Sequence, residues 1–215
     1  MVAFTDFHGN LDAYHRAERL VRTGDFGCLI VAGDIVNHDV GAAKQRLTEL
    51  ASAGVTLLFV PGNMDSPELG SWSGIPGVQG LHGKSATVDD VFFVGLGGAP
   101  MGSGATPFEI PDAQAEQLLN RSMAGYKNGP LVLVSHCPPK NTKVDLASGS
   151  HIGSSVVRNF VERYKPALVV CGHVHEARGL DSIGETQVVN IGPARVGNCA
   201  EITLEDKVNV KLTTF

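Results

Sequence analysis

The chain has 215 residues, 43% hydrophobic and 18% charged, the proportions of a folded globular protein and not of a disordered one. Its 26 glycines and 11 prolines follow no period, which excludes collagen and long coiled coil and points to many tight turns. With 17 basic and 22 acidic residues the formal charge is -5, and no basic run interrupts it, so long nucleic acid is excluded as a partner.

The length predicts one domain over residues 1–215. Val2 to Thr5 is a short first strand. Asp12 to Val21 carries Ala13, Ala17, Leu20 and Val21 at a helical period. Cys28 to Ala32 is apolar throughout, as a strand covered on both faces would be. Gly41 to Ala53 reads as helix ended by Gly54, and Val55 to Val60 as a strand stopped by Pro61-Gly62. This alternation predicts a parallel sheet. Ser66 to Gly80 reads as a surface loop. Ser85 to Val88 and Val91 to Leu96 form a hairpin about Asp89-Asp90, and Gly97 to Pro107 is a loop long enough to carry function. Pro111 to Met123 is predicted helix, Leu131 to Ser135 strand, and Asn141 to Gly153 a polar loop. Ser154 to Tyr164 is predicted helix and Ala167 to Cys171 strand. Four strands follow, Gly179 to Ile183, Gln187 to Ile191, Cys199 to Leu204 and Val208 to Leu212, with Gly184-Glu185 and Glu205-Asp206 as hairpin turns.

No apolar stretch approaches the roughly 20 residues that span a bilayer. Met1 to Phe7 carries Asp6 and no basic run, so no secretory signal is expected there. The four cysteines are scattered without a C-x-x-C pair and read as small buried residues of a reduced, cytoplasmic protein. Cys137 beside His136 is assigned a structural role. A homo-oligomer is compatible with the sequence.

The ends of the apolar runs carry the chemistry. They deliver Asp6-Phe7-His8-Gly9-Asn10, Gly33-Asp34, Pro61-Gly62-Asn63-Met64-Asp65, His136, and Gly172-His173-Val174-His175. Ligands bind at the carboxyl edge of open α/β sheets. Asp6, His8, Asp34, Asn63, His136, His173 and His175 are enough donors for two divalent cations sharing one carboxylate. On an extended backbone, alternate residues of D-x-H and H-x-H share a side. The glycines before Asp34, Asn63 and His173 permit sharp turns and close backbone approach. Taken singly, Asp6, Asp34 and Asn63 also fit turn or capping roles.

These five blocks, in this order over positions 6 to 175, resemble the signature of the calcineurin-like metallophosphoesterases: D-x-H, G-D, G-N-x-D/E, an isolated His, and G-H-x-H. The resemblance implies an α/β four-layer sandwich, two mixed β-sheets flanked by helices. It also implies a first metal on Asp6, His8, Asp34 and His175, and a second on Asp34, Asn63, His136 and His173, with Asp34 bridging. Asp34, Asn63 and His136 take catalytic roles by the same resemblance. The N/O donor set suits Mn²⁺, with Fe, Zn²⁺, Ni²⁺ or Co²⁺ as alternatives. Two such ions outweigh two carboxylates, so an acidic protein can still hold a small phosphate mono- or diester. Paired metals lower the pKa of a bridging water, making a hydroxide nucleophile for in-line displacement.

One position departs from the pattern. Many family members carry His after the Asn, where it stabilises the transition state or protonates the leaving group; here it is Met64, as in a small subgroup. A thioether does neither. Aryl esters are therefore expected to react better than alkyl esters, and His38 and His151 are candidate substitutes. Asp65 and Asn10 read either as supports behind the ligands or as caps. Arg195 reads as a phosphate contact or as merely exposed. His15, Lys140 and Lys143 read as solvated, and His82 receives no role. Other readings are a metal-binding scaffold for protein assembly, with Asn141 to Gly153 or Ser66 to Gly80 as docking surface, and a nuclease on short nucleic acid.

Overall fold

The run Cys28–Ala32 is buried along its whole length in the computed structural model of the protein, which describes every residue except Ser103 and Asp206. Side chains alternate across a strand. Leu29 and Val31 pack beneath helices, whereas Cys28, Ile30 and Ala32 face a second sheet. This double burial is why the run carries no polar residue.

In chain order the elements begin with β1 (Val2–Phe4), α1 (Leu11–Thr23), β2 (Cys28–Ala32), α2 (Val40–Ala51) and β3 (Thr56–Val60). A short helix α3 (Glu68–Ser71) leads to β4 (Gly74–Ile75) and β5 (Val78–Gly80). Then come β6 (Ser85–Val88), β7 (Val91–Leu96), the stubs β8 (Ala99–Pro100) and β9 (Glu109–Ile110), and α4 (Asp112–Ser122). β10 (Leu131–Ser135) is followed by β11 (Leu146–Ala147), β12 (Ser150–His151), α5 (Ser155–Tyr164) and β13 (Leu168–Cys171). β14 (Gly179–Ile183), β15 (Thr186–Asn190), β16 (Asn198–Leu204) and β17 (Val208–Thr214) complete the order.

One sheet runs β17-β16-β1-β2-β3-β5-β4 and the other β14-β15-β13-β10-β7-β6. Both are mixed. β1, β2, β3 and β5 are mutually parallel, as are β7, β10, β13 and β15, and antiparallel strands lie at the edges. Between the sheets lies one apolar layer, where Ile30 and Leu58 are packed with Phe93, Val132 and Val170. Ala13, Ala17 and Val21 of α1 and Leu47 of α2 cover the outside of the first sheet. Leu119 of α4 and Val157 and Phe160 of α5 cover the second. The four-layer α/β sandwich with two mixed sheets is therefore present.

Helix starts follow local chemistry. The side chains of Asn10, Asp39 and Ser154 accept the N–H groups of Ala13, Ala42 and Val157, satisfying donors that a helix leaves open, each cap worth ~1 kcal/mol.

Three sequence readings change. Ser66 to Gly80 is not simply a loop: it contains α3, β4 and β5, and β5 extends the first sheet parallel to β3. The last four strands form the two expected antiparallel hairpins, but the hairpins do not lie side by side. β14 and β15 join the second sheet, β15 parallel to β13, while β16 and β17 return to the first. In Asn141 to Gly153 a helical turn at Lys143–Asp145 and the small β11–β12 hairpin replace the plain loop. The buried Asp145 carboxylate, a residue not singled out from sequence, accepts the N–H groups of Asn141, Thr142 and Gly153 and holds this segment together. Of the predicted loops, Ser103 in Gly97 to Pro107 and Asp206 in the last hairpin lie outside the described residues.

Candidate metal centre

Parallel strands from both sheets end at one edge of the sandwich, and the loops leaving β1, β2, β3, β10 and β13 meet there. They are laced by backbone bonds: Asp6 N–H to Gly33 O at 2.9 Å, His8 N–H to Asp34 O at 2.9 Å, and Gly172 N–H to His136 O at 3.0 Å. Asp65, buried, accepts the N–H groups of Ile35, Val36 and Gly62, which clamps the loop after β2 to the loop after β3.

The extended D-x-H backbone expected from sequence is not what forms. β1 ends at Phe4, and Asp6 and His8 have φ of 55° and 47°. Asp34 and His173 share this left-handed region at 49° and 66°. Such backbone costs about 1–3 kcal/mol per non-glycine residue and persists where surrounding structure over-determines it. The side chains converge because each loop turns back sharply, not because alternate residues share a strand face. Gly172 is required by proximity: a Cβ there would strike Thr5 and the Asp6 carboxylate.

All seven sequence-predicted donors are brought together, in two overlapping groups. In the first, His175 Nε2 is 3.1 Å from Asp6 Oδ1 and 3.4 Å from His8 Nε2. In the second, Asn63 Oδ1 is 2.8 Å from His136 Nε2 and 2.9 Å from His173 Nδ1. Asp34 reaches both: Oδ2 is 3.5 Å from His8 Nε2, and Oδ1 is 3.6 Å from His136 Nε2. Asp6, His8 and His175 form one set of atoms with the spacing to hold a cation, and Asp6, Asp34 and His136 form another. By distance Asp6 is thus common to both triads, beside the bridging position of Asp34.

Proton placement tests whether metal ions fit. His136 Nδ1 lies 2.8 Å from the Ala32 carbonyl oxygen, which can only accept. Nδ1 therefore carries hydrogen, and in the neutral ring the lone pair of Nε2 faces the Asn63 oxygen. His8 is alike: Nδ1 donates to Asn37 Oδ1 at 3.2 Å, leaving Nε2 toward Asp34 and Asp6. A lone pair aimed at an oxygen needs a proton or a cation between them. Ligating histidines characteristically anchor the other ring nitrogen in this way. The residues fit two divalent ions.

Electrostatics agree. Burial works against charge on His136, but the Asp34 and Asp6 carboxylates prevail and pull its pKa upward. Burial would also raise Asp6; the hydrogen bond from His175 and the charges of His136 and His175 hold it well below the carboxylate range instead. Asp34 is pushed upward by burial and by Asp6. His173 falls to about 3, through burial and the neighbouring His136 charge. The site concentrates negative charge that bound cations would neutralise.

The remaining candidates divide. Asn10 is exposed and caps α1. His38 is exposed, its backbone N–H bonded to Met64 O. Met64 donates its N–H to Asp34 Oδ1 at 2.8 Å, so its backbone supports the site whatever its side chain. His151 lines a cleft that also contains His173. His82 is buried, accepts the Gly97 N–H on Nδ1 at 2.9 Å, and is lowered to about 4 mainly by burial. Cys137 is buried and its thiol pKa is raised by burial, which suits a structural role. Arg195 is neither distant nor idle: its Nη2 is 3.2 Å from His175 Nδ1.

Sequence reasoning missed three supports. Thr5 Oγ1 donates to Asp6 Oδ2 at 2.8 Å, leaving Oδ1 to face the centre. Asn37 holds His8 through Nδ1. Asn190, fully buried, donates to Val174 O at 2.8 Å and fixes the residue between His173 and His175. Asn190 closes β15, beside the β13 end, and its position at another strand end was the available signal.

Comparison with known proteins identifies the fold and the family. An uncharacterized protein of Methanocaldococcus jannaschii is 35% identical over 206 residues, 90% of this chain and 88% of its own. The solved structure of TT1561 from Thermus thermophilus matches with a TM-score of 0.80 at 18% identity, over 99% of this chain and 97% of that one. A dimetal phosphatase from Danio rerio matches at 0.67 with 14% identity, over 99% and 95%. The family model for calcineurin-like phosphoesterases covers residues 1–177, which includes every strand end that supplies a donor. With the sandwich and the five loops in place, the chain belongs to the calcineurin-like phosphoesterase family.

Proposed function

We propose that the protein is a dinuclear metal-dependent phosphoesterase that hydrolyses a small phosphate mono- or diester. The observation that carries this reading is the anchoring of His8 and His136 through Nδ1, which turns both Nε2 lone pairs toward carboxylate or amide oxygens. Asp6, His8, Asp34 and His175 would hold one ion, and Asp34, Asn63, His136 and His173 the other. Bound there, divalent ions, Mn²⁺ foremost, supply activated water and positive charge for the phosphoryl oxygens. The chain's own work is placement. Asp65 fixes the loops carrying Asp34 and Asn63, Thr5 orients Asp6, and Asn190 sets the spacing of His173 and His175. The description of the Danio rerio protein as a dimetal phosphatase supports the reading at the level of a shared fold.

The chain acts as one domain in the cytoplasm, where its four buried free cysteines stay reduced. Among the described residues no helix is long and apolar enough to cross a membrane. The test is metal analysis joined to an assay panel. Protein saturated with Mn²⁺ should hold two ions per chain and hydrolyse members of a panel of aryl monoesters, aryl diesters, nucleotides and cyclic nucleotides. Less than one ion per chain, with no turnover, would refute the reading.

A further inference from the structure

A cleft of about 350 Å³ opens beside His173 and is walled by segments that the metal centre does not use. One wall carries Met101, the other Lys140, His151 and Ile152. Met101 is 62% exposed and Ile152 41%, so two large apolar side chains stand in solvent in the same cleft. Lys140 adds a cation that makes no ion pair among the described residues. The wall is held in place from behind. The fully buried Asp145 accepts three backbone N–H groups and the Nδ1–H of His151 at 2.7 Å, which leaves Nε2 of that ring for a ligand. Lys140 N–H is tied to Ser154 O at 3.0 Å. Opposite, Glu109 accepts the Gly102 N–H at 2.7 Å, which fixes the turn bearing Met101.

Exposed apolar groups held rigidly beside a phosphate site, with a cation next to them, bind what the phosphate is attached to. We propose that this cleft is the subsite for the alcohol arm of the substrate, and that this arm carries a flat ring and a second anionic group. The ring lies between Met101 and Ile152, and the anion meets Lys140. This rests on the phosphoesterase reading, since His173 joins the cleft to the metal centre.

Phosphonates test it without turnover, so leaving-group chemistry does not intrude. Calorimetric titration of the Mn²⁺-loaded protein should give affinities in the order 4-carboxyphenylphosphonate, phenylphosphonate, methylphosphonate, each step about tenfold, the scale of one added contact of roughly 1.4 kcal/mol. Lys140→Met should abolish the gain from the carboxylate alone, and Met101→Ala should reduce the gain from the ring. Both should bind inorganic phosphate as the unaltered protein does. Equal affinities for the three phosphonates would overturn the subsite and leave the phosphoesterase reading standing, as would variants that weaken inorganic phosphate equally. Failure of the unaltered, metal-loaded protein to bind inorganic phosphate would overturn both.

Discussion

Arg195 Nη2 lies 3.2 Å from His175 Nδ1, while the other ring nitrogen, Nε2, meets Asp6. A guanidinium only donates, so Nδ1 accepts and the ring proton sits on Nε2, which bonds Asp6 Oδ1 at 3.1 Å. Ligation through Nε2 displaces that proton, and an Nδ1–H has no lone pair left for Arg195. Metal binding and the Arg195 contact would therefore exclude each other, and the freed arginine would be available to a phosphate. Arg195→Ala should leave Mn²⁺ affinity undiminished while weakening inorganic phosphate about tenfold, the size of one charge-assisted hydrogen bond. Weaker metal binding in the variant would contradict this arrangement.

Asp34 separates its two oxygens between the two halves of the site, with His8 on one side and His136 on the other. Asp34→Asn keeps the shape and removes the charge. It should reduce bound Mn²⁺ from two ions to one or fewer and lower turnover ~10³-fold, since metal-derived charge stabilisation is worth several kcal/mol. Two retained ions, counted by elemental analysis, would mean that Asp6, common to both triads, is the shared ligand instead.

By the family resemblance Met64 stands where an imidazole would serve the leaving group, and the two candidate replacements are not equivalent. Both rings are exposed, but His151 shares a cleft with His173 and is backed by the buried Asp145, whereas His38 has only its backbone engaged among the described bonds. His151→Ala should slow an alkyl phosphate ~10²-fold, the low end for general acid catalysis, and an aryl phosphate far less. His38→Ala should leave both rates near normal. The opposite ranking would assign the proton to His38.

Much of this site was legible because metal ligation confines the donors to a few residue types at strand ends. A D-x-H or G-D block is short, but its position after an apolar run is visible in one sequence. The backbone was not legible: Asp and His tolerate left-handed φ better than most residues, but contacts with other loops, such as Asp6 N–H to Gly33 O and His8 N–H to Asp34 O, select it here. The same applies to β5, too short and too glycine-rich to read as a strand until it pairs with β3. The assignment of β16 to the first sheet depends on pairing with β1, nearly the full chain away, which no local pattern encodes. Asp145 lay in a predicted polar loop and Asn190 inside a predicted strand; burial and backbone partners reveal the work of both.

Close packing of these loops gives a stability test. A Cβ on Gly172 would meet Thr5 and Asp6, whereas one on Gly179 finds nothing nearer than 3.9 Å. Gly172→Ala should cost about 1–3 kcal/mol in denaturant unfolding, the usual penalty of overpacking, and should lower Mn²⁺ affinity with it. Gly179→Ala should match the unaltered protein in both. Equal stability of the two variants would show that the strand ends relax around the added methyl group.

His82 supplies a pH dependence that is independent of the metal centre. Burial lowers its pKa to about 4, against an ordinary value of 6.5, while Nδ1 accepts the Gly97 N–H. Below 6.5 the unfolded chain takes up a proton that the folded chain refuses until pH nears 4. The unfolded state therefore binds more protons across this window, and stability falls as pH falls through it. The full loss is about 3 kcal/mol, from ~1.4 kcal/mol per pH unit. Urea unfolding of metal-free protein at about pH 7.5 and about pH 4.5, compared with His82→Gln, isolates this group because the carboxylates titrate alike in both proteins. The variant should start less stable at the higher pH and lose less on acidification, and parallel losses would show that His82 is free to protonate in the folded state.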